Sequence, residues 1–367
     1  MTIEGCATSN GTRHYRDRFP NAASRHFREQ QNLTLSSIGI GTYLGNANED
    51  TDERYGDAVV RGVQLGVNVI DSAANYRFQR SERSIGKALD KLTGESGFTR
   101  DEFVVCTKGG YLPFDDVPPR NVRAYIQETF VDTGIAEFDD FVGGSHCMTP
   151  AYLQNQLDQS LHNLNLDCLD VYYIHNPESQ LGHVSEWEFY YRLELAFKQL
   201  EDNRQQGKLK AYGVASWNGF RVKQQSTDYH SLERMVEAAR KAGGETHGFH
   251  FIQLPFNLAM PEALTLLNQD VNGENLSLLE AAERLNVTAI ASASMLQGRV
   301  AQDLPLTVRA PLGSLATDAQ TAIQFVRSTP GITTALVGMS RVEHVEENLK
   351  LANIEPVTPE TFSKLFE

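Results

Sequence analysis

Cysteine is scarce. Four residues, Cys6, Cys106, Cys147 and Cys168, stand far apart, and no C-x-x-C pair occurs. That spacing argues against a zinc site or a disulfide framework. Cys106 and Cys168 sit in or beside apolar runs and read as small core residues. Positive charge is in the minority: 33 Lys and Arg against 47 Asp and Glu leave a formal net charge of −14. The balance opposes a polyanion binder, so no nucleic-acid partner is expected, although a local basic pocket for a phosphate is allowed. No apolar run approaches the ~18 residues needed to cross a membrane, and no membrane partner is expected. Residues 1–31 lack the apolar core of a secretion signal. Their five arginines suit an organelle transit peptide, but Glu4 and the missing amphipathic face oppose one, and the expected location is cytoplasmic. The sequons at Asn32, Asn275 and Asn286 then read as chance matches.

What is present is alternation. Short runs rich in Val, Ile, Tyr and Phe recur at 37–43, 67–71, 103–108, 169–175, 209–216, 249–254, 287–291 and 334–338. Continuous short apolar runs suit parallel strands buried on both faces. Helix-period segments follow them, at 52–65, 81–92, about 150–163, 185–206, 231–242, 277–285, 318–328 and 342–351. Ser81-Glu82-Arg83 reads as an N-cap and first turn, Thr149-Pro150 as a cap with proline at the first position, and Gly207 as a stop.

Eight strand-helix units in 367 residues favour an α/β fold of the closed (β/α)8 TIM-barrel class over an open sheet. The glycines of Gly39-Ile40-Gly41-Thr42-Tyr43-Leu44-Gly45 miss the dinucleotide fingerprint by one position and are also explained by tight turning. The expected organisation is an extension at 1–34, one barrel at 35–355 and a tail at 356–367. The extension should wrap or plug one barrel end. The 109–147 segment after the third strand is long for a βα loop and reads as either a lid over the catalytic face or a structural insertion.

Barrel chemistry uses residues at strand carboxyl ends. Asp71, Tyr76, Lys108 and His175 stand on or just beyond three consecutive ends. Carbonyl reduction needs a hydride at carbon and a proton at oxygen. A tyrosine pKa near 10 hinders that exchange, and a neighbouring ammonium lowers it. Lys108 can supply that charge, Asp71 can hold Lys108, and neutral His175 can orient the substrate oxygen.

Several motifs in order carry a resemblance. They are Gly66-Val67-Asn68-Val69-Ile70-Asp71-Ser72-Ala73-Ala74-Asn75-Tyr76, then Ser81 to Leu89, Val104-Val105-Cys106-Thr107-Lys108, Leu169 to Pro177, Gly207 to Val214, and Gln253-Leu254-Pro255-Phe256-Asn257-Leu258. Over about 35–352 the chain resembles the aldo-keto reductase family. The resemblance implies Tyr76 as proton donor or acceptor, tuned by Asp71 and Lys108, with His175 orienting the carbonyl. It implies NADPH lying extended across the barrel mouth, with NADH as the alternative. Gln253 and Ser216 would meet the nicotinamide carboxamide, and Tyr212 or Trp217 would stack on the ring. Met295, Leu296, Gln297 and Gly298 would follow the pyrophosphate. Gly338, Ser340, Arg341, His344, Glu347 and Asn348 would form the adenosine end.

There are departures. Ala215-Ser216 stands where the family often has Ser-Asn, and Ala293-Ser294 where it has Ser-Pro. His344 occupies a position often basic, leaving Arg341 or Ser340 to read a 2′-phosphate. Candidate substrate contacts are Tyr43, Phe78, Tyr111, Asn176 and Trp217. Arg77 and Arg80 either attract an anionic substrate or pair with surface carboxylates. His247 and His250 should point to opposite faces of a strand, so no metal is assigned. The leading expectation is an NAD(P)-dependent reductase of a small carbonyl compound, or the reverse alcohol oxidation. The alternatives are a cofactor-binding regulatory subunit or sensor with little turnover, and a Schiff-base lyase or isomerase using Lys108. The sequence carries no signal of oligomeric state.

Overall fold

Buried apolar strands must satisfy their backbone by pairing with neighbours, and here they close on themselves. In a computed structural model describing residues 2–366, the strands are β1 Ile38–Gly41, β2 Val69–Asp71, β3 Val104–Gly109, β4 Leu169–His175, β5 Leu209–Ala215, β6 Phe249–Pro255, β7 Thr288–Ser292 and β8 Ile332–Gly338. Met1 and Glu367, the outermost positions of the expected extension and tail, lie outside the described residues. Each strand pairs in parallel with its sequence neighbour, and β8 pairs with β1 to complete the barrel. The returning helices are α1 Glu49–Gln64, α2 Arg80–Gly94, α3 Pro150–Leu164, α4 Glu186–Gln205, α5 Leu232–Gly243, α6 Leu278–Arg284, α7 Asp318–Ser328 and α8 Val342–Asn348.

One large apolar layer joins strands to helices, and a smaller one fills the barrel interior with Val69, Val104, Val171, Tyr173, Phe251, Ile290 and Leu336. Gly213 is required there: a Cβ would lie 1.9 Å from the Phe251 carbonyl oxygen. The extension plugs the amino end of the strands. A hairpin of Phe27–Gln30 and Leu33–Ser36 turns at Gln31 and Asn32, both with positive φ. It sends Leu35 into the interior layer, and Asn68 ties it to β2 through the Ser36 N–H and the Thr34 carbonyl.

Three local expectations are corrected. α2 starts at Arg80, and its cap position is Gln79 in a left-handed conformation. The Ser81 hydroxyl is not a cap because it donates to the Thr42 carbonyl at 2.7 Å. His247 precedes β6, so its ring stands beside that of His250, 5.8 Å away, instead of on the opposite face. No third ligating side chain completes a metal-holding group among the described residues. Finally, Leu267–Val271 and Glu274–Ser277 form a hairpin between β6 and α6 that the strand-helix alternation did not include.

The 109–147 segment builds its own small core. Leu112, Ile126, Phe130, Phe141 and Cys147 pack with Tyr152 of α3. Arg80 and Arg83 of α2 hold Asp115 and Asp116. Arg77, Arg80 and Arg83 are therefore paired with carboxylates, Arg77 and Arg80 sharing Asp52.

Candidate active site

The barrel mouth gathers the strand-end residues. Asp71 ends β2 and Lys108 lies one residue before the end of β3. Both are buried, and the Lys108 Nζ donates to Asp71 Oδ2 at 2.6 Å and to the Ser72 carbonyl at 2.6 Å. Tyr76 stands beside this pair, its ring centre 5.0 Å from Nζ. Gln253 of β6 donates to the other Asp71 oxygen at 2.8 Å. His175 ends β4, and its ring centre lies 5.8 Å from that of Tyr76. Tyr43 and Tyr111 flank the pair, at 5.0 Å from Tyr76 and 5.2 Å from His175.

The electrostatics follow from burial and this pairing. Burial pulls the Lys108 ammonium down, but Asp71 and Tyr76 outweigh it, so its pKa stands above the ordinary value and the group stays charged. Burial pushes the Tyr76 phenol up, and Lys108 offsets only part of that. The ammonium was expected to lower this phenol. Desolvation wins, and the resting state is the protonated phenol. His175 is held neutral: burial, then Lys108 and His146, bring its pKa down to about 3.

A left-handed turn sets Tyr76. Arg77, Phe78 and Gln79 have φ of 47°, 58° and 69°, three consecutive non-glycine residues in a sparsely populated region. The buried Arg77 side chain holds the turn by pairing with Asp52 and donating to the Asn46 carbonyl at 3.0 Å. The Phe78 carbonyl accepts from the Asp116 N–H at 3.2 Å. Asn176, also left-handed, reaches toward the Tyr111 hydroxyl at 3.5 Å.

Residues that sequence reasoning missed complete the frame. His146, from the end of the long insertion, bonds the His175 carbonyl at 2.8 Å and receives Gln180 at 2.9 Å. Glu178 accepts from the Ser216 hydroxyl at 3.1 Å, the Trp217 N–H at 2.6 Å and the Asn218 N–H at 2.9 Å, and meets His230. The Ser216 hydroxyl is thus engaged with Glu178, and Trp217 stands exposed on the same loop. Tyr212 does not reach the mouth: it points outward among the helices, its hydroxyl donating to Glu201 at 2.8 Å. No sequence signal announced either Glu178 or His146.

The cofactor candidates form a second group along the mouth. Ala293, Leu296 and Gln297 all have positive φ, so the loop holding Met295 and Gly298 is also strained. The buried Ser294 hydroxyl and Asn348 Oδ1 have no hydrogen-bond partner. Glu347 accepts from Thr317 at 3.0 Å. Gly338, Arg341 and His344 are exposed, and Ser340 is half-buried.

A family model described as the aldo/keto reductase family matches residues 37–303. The chain belongs to that family. Among its relatives is a Schizosaccharomyces pombe protein provisionally named a voltage-gated potassium channel subunit beta, 24% identical over 98% of this chain and 96% of that one. The NADH-specific methylglyoxal reductase of Escherichia coli K12 is 24% identical over 52% of each chain. A crystal structure of an aldo/keto reductase from Klebsiella pneumoniae in complex with NADP and acetate superposes with a TM-score of 0.63, at 19% identity and 94% coverage of both chains. No helix among the described residues is long and apolar enough to cross a membrane.

Proposed function

We propose that this family member is an NADPH-dependent oxidoreductase that reduces an aldehyde or ketone, or oxidises the alcohol, with Tyr76 passing the proton. Its partner is a small carbonyl or alcohol substrate, and residues 35–355 act as one catalytic unit. The observation that carries the reading is the buried Lys108–Asp71 pair set against Tyr76, with a neutral imidazole across from it. His175 orients the substrate oxygen with an N–H. Tyr76 gives its proton to that oxygen, and Lys108 stabilises the phenolate left behind. Asp71, braced by Gln253, keeps Lys108 charged and in place. Tyr43, Tyr111 and Asn176 line the substrate side.

When bound, the nicotinamide supplies the hydride. The orphaned Asn348 Oδ1 suits an adenine amino group, and the orphaned Ser294 hydroxyl suits a pyrophosphate oxygen. Arg341 is the guanidinium we assign to a 2′-phosphate. The NADP in the Klebsiella pneumoniae relative supports this choice, and the NADH-specific relative keeps NADH as an alternative.

The relative named for a channel subunit, aligned along nearly its whole length, favours a second reading as a cofactor-binding regulatory subunit. Fluorescence titration with NADPH and NADH, followed by an aldehyde, ketone and sugar panel, separates the two. Binding with turnover supports the reductase. Binding without turnover supports the subunit. Binding of neither nucleotide overturns both.

A further inference from the structure

The loop after β5, Ser216-Trp217-Asn218-Gly219, is held at every step. Its place at the mouth is set by strand register. Ala215 pairs with His175 across β4 and β5, and the Asn176 N–H donates to the Ala215 carbonyl at 2.5 Å. Trp217 lies two residues past the strand partner of His175. Side chains claim both of its backbone polar groups: its N–H donates to Glu178 at 2.6 Å, and its carbonyl accepts from Arg221 at 3.1 Å. Glu262 fixes Arg221 in turn, at 3.1 and 3.2 Å. The Glu178 oxygen that meets Trp217 also takes the Asn218 N–H and the Ser216 hydroxyl, and the Ser216 oxygen accepts from the Gly219 N–H at 2.9 Å. The other Glu178 oxygen meets His230, whose ring stacks on Phe189 at 5.2 Å. Glycine is needed at 219, because a Cβ there would lie 2.1 Å from the His230 ring.

The backbone of Trp217 is thus clamped, yet the residue is 44% exposed. Tyr43, against Tyr76, is exposed at the same mouth. An indole left open gains little from folding and gains more when an apolar group covers it. Glu178 is suited to hold the loop. Burial pushes its carboxyl up, but His230 and the Asn218 N–H outweigh that and bring it down to about 2, so it stays ionised and keeps accepting.

We propose that Glu178 is a positioning residue that, together with Arg221, presents the Trp217 ring as the contact for a flat apolar group on the carbonyl substrate, a role that rests on the reductase reading above. Fixing the ring's backbone beforehand removes an ordering cost at binding, so the effect belongs in KM more than in kcat.

The test uses NADPH with two probes: 4-nitrobenzaldehyde, which carries a flat ring, and propanal, which does not. Trp217→Ala should raise KM for the aryl aldehyde about ten-fold more than KM for propanal. Glu178→Ala should give the same bias. Glu178→Gln, which keeps an acceptor oxygen for the loop N–H groups, should restore most of the wild-type preference. Glu178→Ala should add little bias once residue 217 is alanine, because it acts through that ring. Arg221→Met releases the other side of the clamp and should show the bias where Glu178→Ala fails to fold. A further readout needs no turnover. In a Trp187→Phe background Trp217 is the one tryptophan, and Glu178→Ala or Arg221→Met should lower the anisotropy of its emission toward that of a free loop side chain. Equal KM changes for both aldehydes in Trp217→Ala, or additive effects in the double variant, would overturn the substrate contact. Unchanged anisotropy in both clamp variants would overturn the positioning role. No turnover of either aldehyde by the wild type would count against the reductase reading, and the anisotropy would still decide the positioning.

Discussion

Replacing His146 with glutamine should remove about one proton from the acid limb of the stability curve. The imidazole is fully buried, and its Nε2 meets the His175 carbonyl at 2.8 Å. That carbonyl can only accept, so Nε2 carries the hydrogen. Nδ1 accepts from Gln180 at 2.9 Å, and a second proton there would break that bond. Burial pushes the pKa down to about 4, against smaller opposing pulls from the His175 carbonyl and Glu178. In the unfolded chain the pKa returns to about 6.5. The folded value is the lower one, so acid favours the unfolded state. The contribution is complete above pH ~6.5 and fades as the pH falls toward 4. At pH 5 the loss is about 1.5 units at 1.36 kcal/mol each, or about 2 kcal/mol. His26 and His175, both pushed down to about 3, act in the same direction, while the raised Asp71 and Glu82 carboxyls act against them. The difference between wild type and His146→Gln isolates the one site. Glutamine can still donate to the His175 carbonyl but cannot take up a proton. Urea unfolding of both proteins at about pH 7.5 and about pH 5 reads the effect. The cost of the variant at the higher pH should shrink by about 2 kcal/mol at the lower. A cost equal at both pH values would refute a neutral buried ring.

Three further outcomes follow from the same geometry. Arg77→Ala leaves Asp52 with Arg80 and the Ser84 hydroxyl and releases the left-handed turn, so stability should fall by about 3 kcal/mol and kcat with it. Unfolding and steady-state kinetics check this, and an unchanged kcat would detach the turn from Tyr76. Lys108→Met strands the Asp71 carboxylate in a buried site, at a cost of about 3–5 kcal/mol, and should shift the pH dependence of turnover as the phenol loses its cation. Arg341→Ala should weaken NADPH about ten-fold and leave NADH nearly unchanged, because only the former carries the extra phosphate. Titrations with both nucleotides decide it, and an equal loss would move Arg341 away from that group.

The barrel was legible because each strand is buried on both faces and therefore reads as an unbroken apolar run. β4 and α7 match their expected spans in full, and the other strands differ by a few end residues. Errors fell where a side chain has a distant partner. Ser81 looked like a cap until Thr42 claimed its hydroxyl, and His247 looked like a strand residue although β6 begins two positions later. Asn272-Gly273 did announce a hairpin turn, but the alternation of strands and helices masked it. At the site, Asp71, Tyr76, Lys108 and His175 were visible as polar residues at strand ends, and the structure brings all four together. The frame around them was not visible. His146 arrives from an insertion with no periodicity, Glu178 acts through loop N–H groups, and the Arg77–Gln79 turn uses residues that do not advertise a positive φ.

The proton assignment is the central claim, and Tyr76→Phe tests it most directly. The variant keeps the ring between Tyr43 and His175 and removes only the hydroxyl. NADPH affinity, followed by fluorescence, should stay within about two-fold, while carbonyl reduction falls by about 10²–10⁴-fold. Full turnover by Tyr76→Phe would contradict the account.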